Sequence, residues 1–220
     1  MDTLSIMILA IGGVGIVTFL PYTWAAEIDC NGVKCYGTAG NDLMKGQLGD
    51  DQMHGFGGND IISGKDGNDW MVGYEGDDVI FGDMGNDKIR GSQGNDQLWG
   101  SVGNDIIYGE DGNDMIGGSS EADRLIGGRG ADQIYGDWGD DIIWHSYNTP
   151  NYDPTLSDGS KDIIHCGDGY DIVYWSSVDR DVVMADCEVK IDHMPHGPSG
   201  QPPGSGGSEA CDRSGMPGCP

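Results

Sequence analysis

The chain is poor in cations. Only 11 Lys and Arg stand against 37 Asp and Glu among 220 residues, giving a formal charge of −26 and a pI near 4.1. Nucleic acid is excluded as a partner, because phosphate recognition needs clustered Lys and Arg. Catalytic signatures are missing too. The sequence has no H-E-x-x-H and no G-x-S-x-G, and its five His (His54, His145, His165, His193, His196) are scattered. Neither a zinc-protease helix nor a nucleophile elbow can be built from it, so it is not expected to be an enzyme. Its six Cys fall in separated pairs, without the tetrahedral cluster of soft ligands that structural zinc needs. Aliphatic residues are few beside 40 Gly, a composition that taken alone leans toward disorder.

Phase argues against disorder. From Gly37 to Trp144 the chain divides into twelve consecutive nines without a slip: GTAGNDLMK, GQLGDDQMH, GFGGNDIIS, GKDGNDWMV, GYEGDDVIF, GDMGNDKIR, GSQGNDQLW, GSVGNDIIY, GEDGNDMIG, GSSEADRLI, GGRGADQIY, GDWGDDIIW. Position one is always Gly, and position four is Gly in all but the tenth unit, where Glu121 stands. Position six is always Asp and position eight always Met, Ile or Leu. Gly at positions one and four permits φ > 0, so six residues form a tight loop. The last three residues suit a short strand whose position-eight side chain points one way while seven and nine point the other. Two nines then make one coil with a loop on each side, and motifs eighteen residues apart stack at about 4.8 Å. The predicted core is the file Met44, Met53, Ile62, Met71, Ile80, Ile89, Leu98, Ile107, Ile116, Leu125, Ile134 and Ile143. One inward residue per nine is a thin core, and stacked Asp columns repel. A hard divalent cation answers both problems, because it draws together six to eight carboxylate and carbonyl oxygens.

These units resemble the G-G-x-G-x-D-x-U-x nonapeptide of the RTX (repeats-in-toxin) calcium-binding family. The resemblance implies an all-β parallel β-roll, a right-handed solenoid of 18-residue coils with Ca²⁺ held between successive turns. The expected metal ligands are Asp42, Asp51, Asp60, Asp69, Asp78, Asp87, Asp96, Asp105, Asp114, Asp123, Asp132 and Asp141, with Asp162 and Asp171 from later, imperfect units. Six motifs per side leave ten gaps, and ten divalent ions would bring the formal charge from −26 to about −6. Glu121 and Ala122 mark the weakest loop, so eight sites are expected to be sound and two doubtful. Asp123→Ala is accordingly expected to cost less than Asp87→Ala. Asn at position five is read as serving the turn, through its tolerance of the left-handed conformation. Ice binding is disfavoured because position three (Ala39, Leu48, Gly57, Asp66, Glu75) carries no Thr file. Phosphate binding fails because loops ending in Asp repel an anion.

The flanks differ in kind. Residues 1–26 contain an apolar run, Leu4 to Leu20, ahead of Thr23 and Ala25 at −3 and −1 of a small-residue cleavage site. This reads as a signal peptide, with a retained anchor as the alternative. Both export the chain, through the general route rather than type I secretion. Residues 27–36 form a cap in which Cys30 and Cys35 bracket the turn Asn31-Gly32. After the array (37–144), residues 145–156 read as an inserted loop. Degenerate repeats and a C-terminal cap follow over 157–190, then a Pro/Gly/Ser-rich disordered tail over 191–220. In an exported chain six Cys imply bridges, and of fifteen connectivities neighbourhood favours Cys30–Cys35, Cys166–Cys187 and Cys211–Cys219. The outward positions carry Leu43, Ile61, Val79, Phe81, Trp99, Met115 and Tyr135 on one sheet. On the other they carry Trp70, Val72, Ile106, Tyr108, Ile126, Ile142 and Trp144. β-Propensity accounts for these, and a contact patch for a glycan or a second copy is the sharper reading.

Two functions are expected from this pattern. One is a secreted calcium-binding protein that folds on multiple extracellular Ca²⁺ ions, about eight to ten. The other is a cell-surface or matrix protein, self-assembling or glycan-binding, that uses the calcium-stabilised roll as a rigid spacer. Membrane association is expected only if the N-terminal segment is retained.

Overall fold

The computed structural model describes residues 26–30, 34–146, 159–176 and 179–192. The leader or anchor reading of residues 1–25, most of the inserted loop, nearly all of the tail and a Cys211–Cys219 bridge lie outside the described residues.

Among the described residues there is no helix, and eighteen strands follow one another. They are β1 (Ala26–Asp29), β2 (Cys35–Tyr36), β3 (Asp42–Lys45), β4 (Gln52–Gly57), β5 (Ile61–Asp66) and β6 (Trp70–Glu75). Then come β7 (Val79–Met84), β8 (Lys88–Gln93), β9 (Gln97–Val102), β10 (Ile106–Asp111), β11 (Met115–Ser120) and β12 (Arg124–Arg129). The last six are β13 (Gln133–Trp138), β14 (Ile142–Trp144), β15 (Ile163–Asp168), β16 (Ile172–Trp175), β17 (Val182–Val183) and β18 (Val189–Asp192). Odd-numbered strands form one nine-stranded parallel sheet and even-numbered strands another. Each strand pairs with the strand two places on, Ile62 with Ile80 and Met71 with Ile89, so one coil is eighteen residues and the fold is a parallel β-roll.

The position-eight side chains fill the space between the sheets. All twelve, from Met44 to Ile143, have no exposed surface, and Ile164 and Val173 continue the two files. Cys35 pairs in register with Met53, so the Cys30–Cys35 bridge plugs the first end of this core. Cys166–Cys187 closes the other end. Open core ends would otherwise leave apolar surface in water, and terminal coils of a stacked array need such caps.

Two local expectations are corrected. Strands are longer and loops shorter than the nine suggests, because each regular strand runs on through positions one to three of the next unit. Every coil bends at the same place, so backbone bonding to the coil above survives the bend. The positive φ lies at positions two and four, not one and four: Phe56 (78°), Lys65 (82°), Tyr74 (83°), Asp83 (75°), Ser92 (94°) and Ser101 (84°) all occupy position two. Position one needs Gly for a different reason. A β-carbon built on Gly127 would stand 2.5 Å from Asp132 Oδ2 and 2.6 Å from the His145 carbonyl oxygen. Close approach, not dihedral freedom, selects glycine there.

Position five is also more than a turn residue. None of its Asn residues has positive φ. Instead each side-chain oxygen accepts a backbone N–H one coil on, as Asn59 N–H donates to Asn41 Oδ1 at 2.9 Å and Asn104 N–H to Asn86 Oδ1 at 2.8 Å. This outer ladder ties adjacent loops together.

Candidate metal centre

The invariant Asp of position six turns inward at each loop. Its backbone N–H donates to the Asp carboxylate one coil ahead, and its own Oδ1 accepts from the Asp one coil behind. Asp60 N–H reaches Asp78 Oδ1 at 2.8 Å, Asp78 N–H reaches Asp96 Oδ1 at 2.8 Å, and Asp96 N–H reaches Asp114 Oδ1 at 2.8 Å. Two columns result. One comprises Asp42, Asp60, Asp78, Asp96, Asp114, Asp132 and Asp162, and the other Asp51, Asp69, Asp87, Asp105, Asp123, Asp141 and Asp171. In both, all members are almost wholly buried.

Each column has one further acidic member that the repeat pattern did not reveal. Asp162 N–H donates to Asp181 Oδ1 at 3.2 Å, and Asp171 N–H donates to Glu188 Oε2 at 3.0 Å. Spacings of nineteen and seventeen residues hide them from a nine-residue frame. The signal was nonetheless present, since Asp181-Val182-Val183 repeats the Asp162-Ile163-Ile164 pattern.

Only one carboxylate oxygen per Asp is used in these bonds. Oδ2 of Asp60, Asp69, Asp78, Asp87, Asp96, Asp105, Asp114, Asp123, Asp141 and Asp171 is buried without a hydrogen-bond partner. An unpartnered buried anionic oxygen is costly, and here the same cost recurs coil after coil. Burial pushes these carboxyls up, opposed by the N–H of the neighbouring rung and reinforced by surrounding acids. Asp78 and Asp123 rise to about 8, Asp60, Asp87 and Asp96 to about 7, and Asp69, Asp105, Asp114 and Asp141 to about 6. Asp171 shifts in the same direction for the same reason. Beside the free oxygens of the regular array lies the position-one glycine, and in most rungs a position-one carbonyl of the next coil faces the same spot, as Asp87 Oδ2 and the Gly100 carbonyl do at Gly82. Carboxylate and carbonyl oxygens converging in a pocket without a positive side chain are the donor set of a hard cation.

Residues 36–70, 54–89, 63–98, 81–116 and 117–146 match the family described as RTX calcium-binding nonapeptide repeat (4 copies), which together spans just over half of the chain. The chain belongs to the RTX calcium-binding repeat family. No curated protein matches it. RTX repeats bind Ca²⁺, so calcium ions are this protein's partners, and the family's β-roll is a structural fold rather than a typically catalytic one. The donor set fits that ion, because every orphaned atom along the two Asp columns is a hard oxygen.

The degenerate tenth RTX unit keeps the ladder intact. Asp105 N–H reaches Asp123 Oδ1 at 2.8 Å and Asp123 N–H reaches Asp141 Oδ1 at 2.8 Å. The loss of glycine appears instead as Glu121 held at φ 70°, a strain of roughly 1–2 kcal/mol for a residue with a β-carbon. Asp123 therefore has the same contacts as Asp87. Asp123→Asn and Asp87→Asn, each keeping the Oδ1 acceptor while removing a charge, should weaken calcium-induced folding to a similar degree. In calcium-free buffer both should relieve on the order of 2–3 kcal/mol of charge burial, after allowance for solvent screening. Calcium titrations followed by circular dichroism, together with the pH at which the calcium-stripped roll is lost, check this, and an Asp123 variant indistinguishable from wild type would restore the weak-loop expectation.

Proposed function

We propose that the chain is a secreted calcium-binding RTX-repeat protein whose β-roll folds as it binds multiple extracellular Ca²⁺ ions. The observation supporting this reading is the unpartnered second carboxylate oxygen repeated along both columns. Asp42, Asp51, Asp60, Asp69, Asp78, Asp87, Asp96, Asp105, Asp114, Asp123, Asp132, Asp141, Asp162 and Asp171 would hold the ions together with loop carbonyls. Calcium would supply the counter-charge that lets neighbouring carboxylates sit one coil apart. Metal binding and folding would be one event, because the unfolded chain has no preformed site. Low cytosolic calcium would leave the chain open for export, and millimolar calcium outside would close it. Calorimetric titration should return about eight to ten ions, bound cooperatively with gain of β-structure. A stoichiometry of one or two would sink the proposal.

One observation favours a second reading, that of a surface contact protein on a rigid roll. At the N-terminal end of the even-numbered sheet Tyr36, His54, Phe56 and Tyr74 stack with ring centroids 5.4–6.4 Å apart, and Trp70 meets His54 edge-on at 5.9 Å. Tyr36, Phe56, Trp70 and Tyr74 are exposed. By contrast Val72, Ile126 and Trp144 of the outward set are buried, as β-propensity and neighbour packing require. Stacked exposed rings are a platform for a sugar face or for a second copy of the roll. Light scattering and glycan binding in calcium decide for or against this reading.

A further inference from the structure

The last rung of the first column differs from all those before it. Position one is Gly throughout the regular array, yet His145 takes that place in the closing coil, where its carbonyl accepts from Gly128 N–H at 3.0 Å and its N–H donates to the Tyr174 carbonyl at 3.1 Å. The inserted segment thus begins after His145, not at it. In the regular loops the position-one glycine leaves room beside the free Asp oxygen. At this rung an imidazole enters that room. His145 Nδ1 lies 3.7 Å from Asp162 Oδ2 and 3.5 Å from Asp181 Oδ2, and all three side chains are buried.

Ligand chemistry distinguishes this rung from the calcium ladder. Ca²⁺ is hard and takes oxygen, whereas an imidazole nitrogen selects borderline metals of the zinc and cobalt class. Ligand bonds of about 2.0–2.2 Å in a tetrahedral site put donor atoms roughly 3.3–3.6 Å apart. The two nitrogen–oxygen separations here, 3.7 and 3.5 Å, are close to that edge length, and the three donor atoms all lie within 4.8 Å of one another. The surroundings also hold the donors in place. Asp181 Oδ2 accepts from Ser176 N–H at 2.8 Å, Asp181 Oδ1 accepts from Asp162 N–H at 3.2 Å, and Ser146 Oγ lies 3.2 Å from His145 Nε2. When Nε2–H donates to Ser146, Nδ1 turns its lone pair to the two carboxylates, the tautomer a metal ligand requires.

We propose that His145, Asp162 and Asp181 form a site for one borderline transition-metal ion of the zinc class, which takes Asp162 Oδ2 in place of Ca²⁺ and closes the C-terminal end of the column that the proposed calcium reading fills with Ca²⁺. The nitrogen donor makes the last rung chemically distinct, so the roll carries two classes of metal site. The sequence showed only scattered histidines and separated cysteine pairs. The fold assembles this site without sulfur.

The test uses the full chain in saturating calcium, titrated with Co²⁺ and followed by visible absorption, with Zn²⁺ as competitor. One equivalent of Co²⁺ should give the strong bands of a low-coordinate nitrogen–oxygen site and be displaced by Zn²⁺. His145→Gly restores the repeat residue at position one, so the coil should close as the others do. It should lower Co²⁺ affinity by roughly 100-fold or more, beyond the loss expected from a supporting partner, while calcium stoichiometry is unchanged. Asp181→Asn removes the charge and one of the two acceptor oxygens that Asp162 N–H and Ser176 N–H use, keeps the size of the side chain, and should also lose the cobalt bands, which covers the case in which the glycine variant fails to fold. Absence of a tight Co²⁺ equivalent, or one that persists in both variants, overturns the proposal. Circular dichroism in calcium, recorded on the same samples, separates that outcome from failure of calcium-driven folding, since the cobalt stoichiometry is read independently.

Discussion

Stripping calcium from the protein at pH 7 is expected to abolish the roll, and acidification of the stripped protein is expected to restore compactness. The cause lies in nine column carboxyls whose folded-state values reach about 6 to 8. Keeping one such group ionised in the folded chain costs on the order of 2–3 kcal/mol relative to the unfolded chain, after discounting for solvent screening. Several together exceed the roughly 5–15 kcal/mol that stabilises a whole domain. Because the folded values are raised, the metal-free roll binds more protons than the unfolded chain across this range. Its stability is greatest below the ordinary carboxylate value near 3.8 and falls as pH rises through 6 to 8. Calcium should reverse the slope, because it binds the ionised form and competes with protons for the same oxygens. Far-ultraviolet circular dichroism of calcium-stripped protein from pH 4 to 8, repeated in millimolar calcium, measures both slopes. A metal-free spectrum that keeps full β-structure at pH 8 would contradict the account.

Much of this was legible in the sequence, and the reason is repetition. A fixed Gly, Asp and aliphatic at positions one, six and eight specify loop, column and core independently, and twelve copies in one phase leave a single register for stacking. The position-eight file and two disulfide pairs followed from spacing alone. What stayed hidden depended on contacts between coils. Position two carries Thr, Gln, Phe, Lys, Tyr, Asp, Ser, Glu or Gly without pattern, so nothing in its chemistry marked it as the bend. Position five looked like a turn residue because Asn is common in turns, whereas its acceptor serves the neighbouring coil. Asp181 and Glu188 were lost because slips remove them from the nine-residue frame, and His145, which keeps the frame, was lost because it stands where every regular unit has Gly. Between Asp132 and Asp162 the separation is thirty residues instead of eighteen.

A glycine pair separates the cost of backbone conformation from the cost of stacking. Gly49 and Gly58 both occupy position four and both have φ +100°. Around a β-carbon built on Gly49 no described atom lies within 4 Å, while one built on Gly58 would stand 2.5 Å from the Gly40 carbonyl carbon and 2.6 Å from the Asn41 nitrogen. Alanine meets the same dihedral strain at either place, roughly 1–2 kcal/mol, partly offset by a stiffer unfolded chain. Only at Gly58 must it also push two backbones apart, and those backbones are held by Asn59 N–H on Asn41 Oδ1 and by Asp42 N–H on Asp60 Oδ1. Neither can yield without breaking a rung. Gly49→Ala should therefore lower stability in saturating calcium by about 1–2 kcal/mol, and Gly58→Ala by about 4 kcal/mol or more, the range reserved for core disruption. Parallel urea melts in calcium compare them directly. Equal losses would mean that coil-to-coil approach is looser than these distances require, and glycine at position four would then be explained by conformation alone.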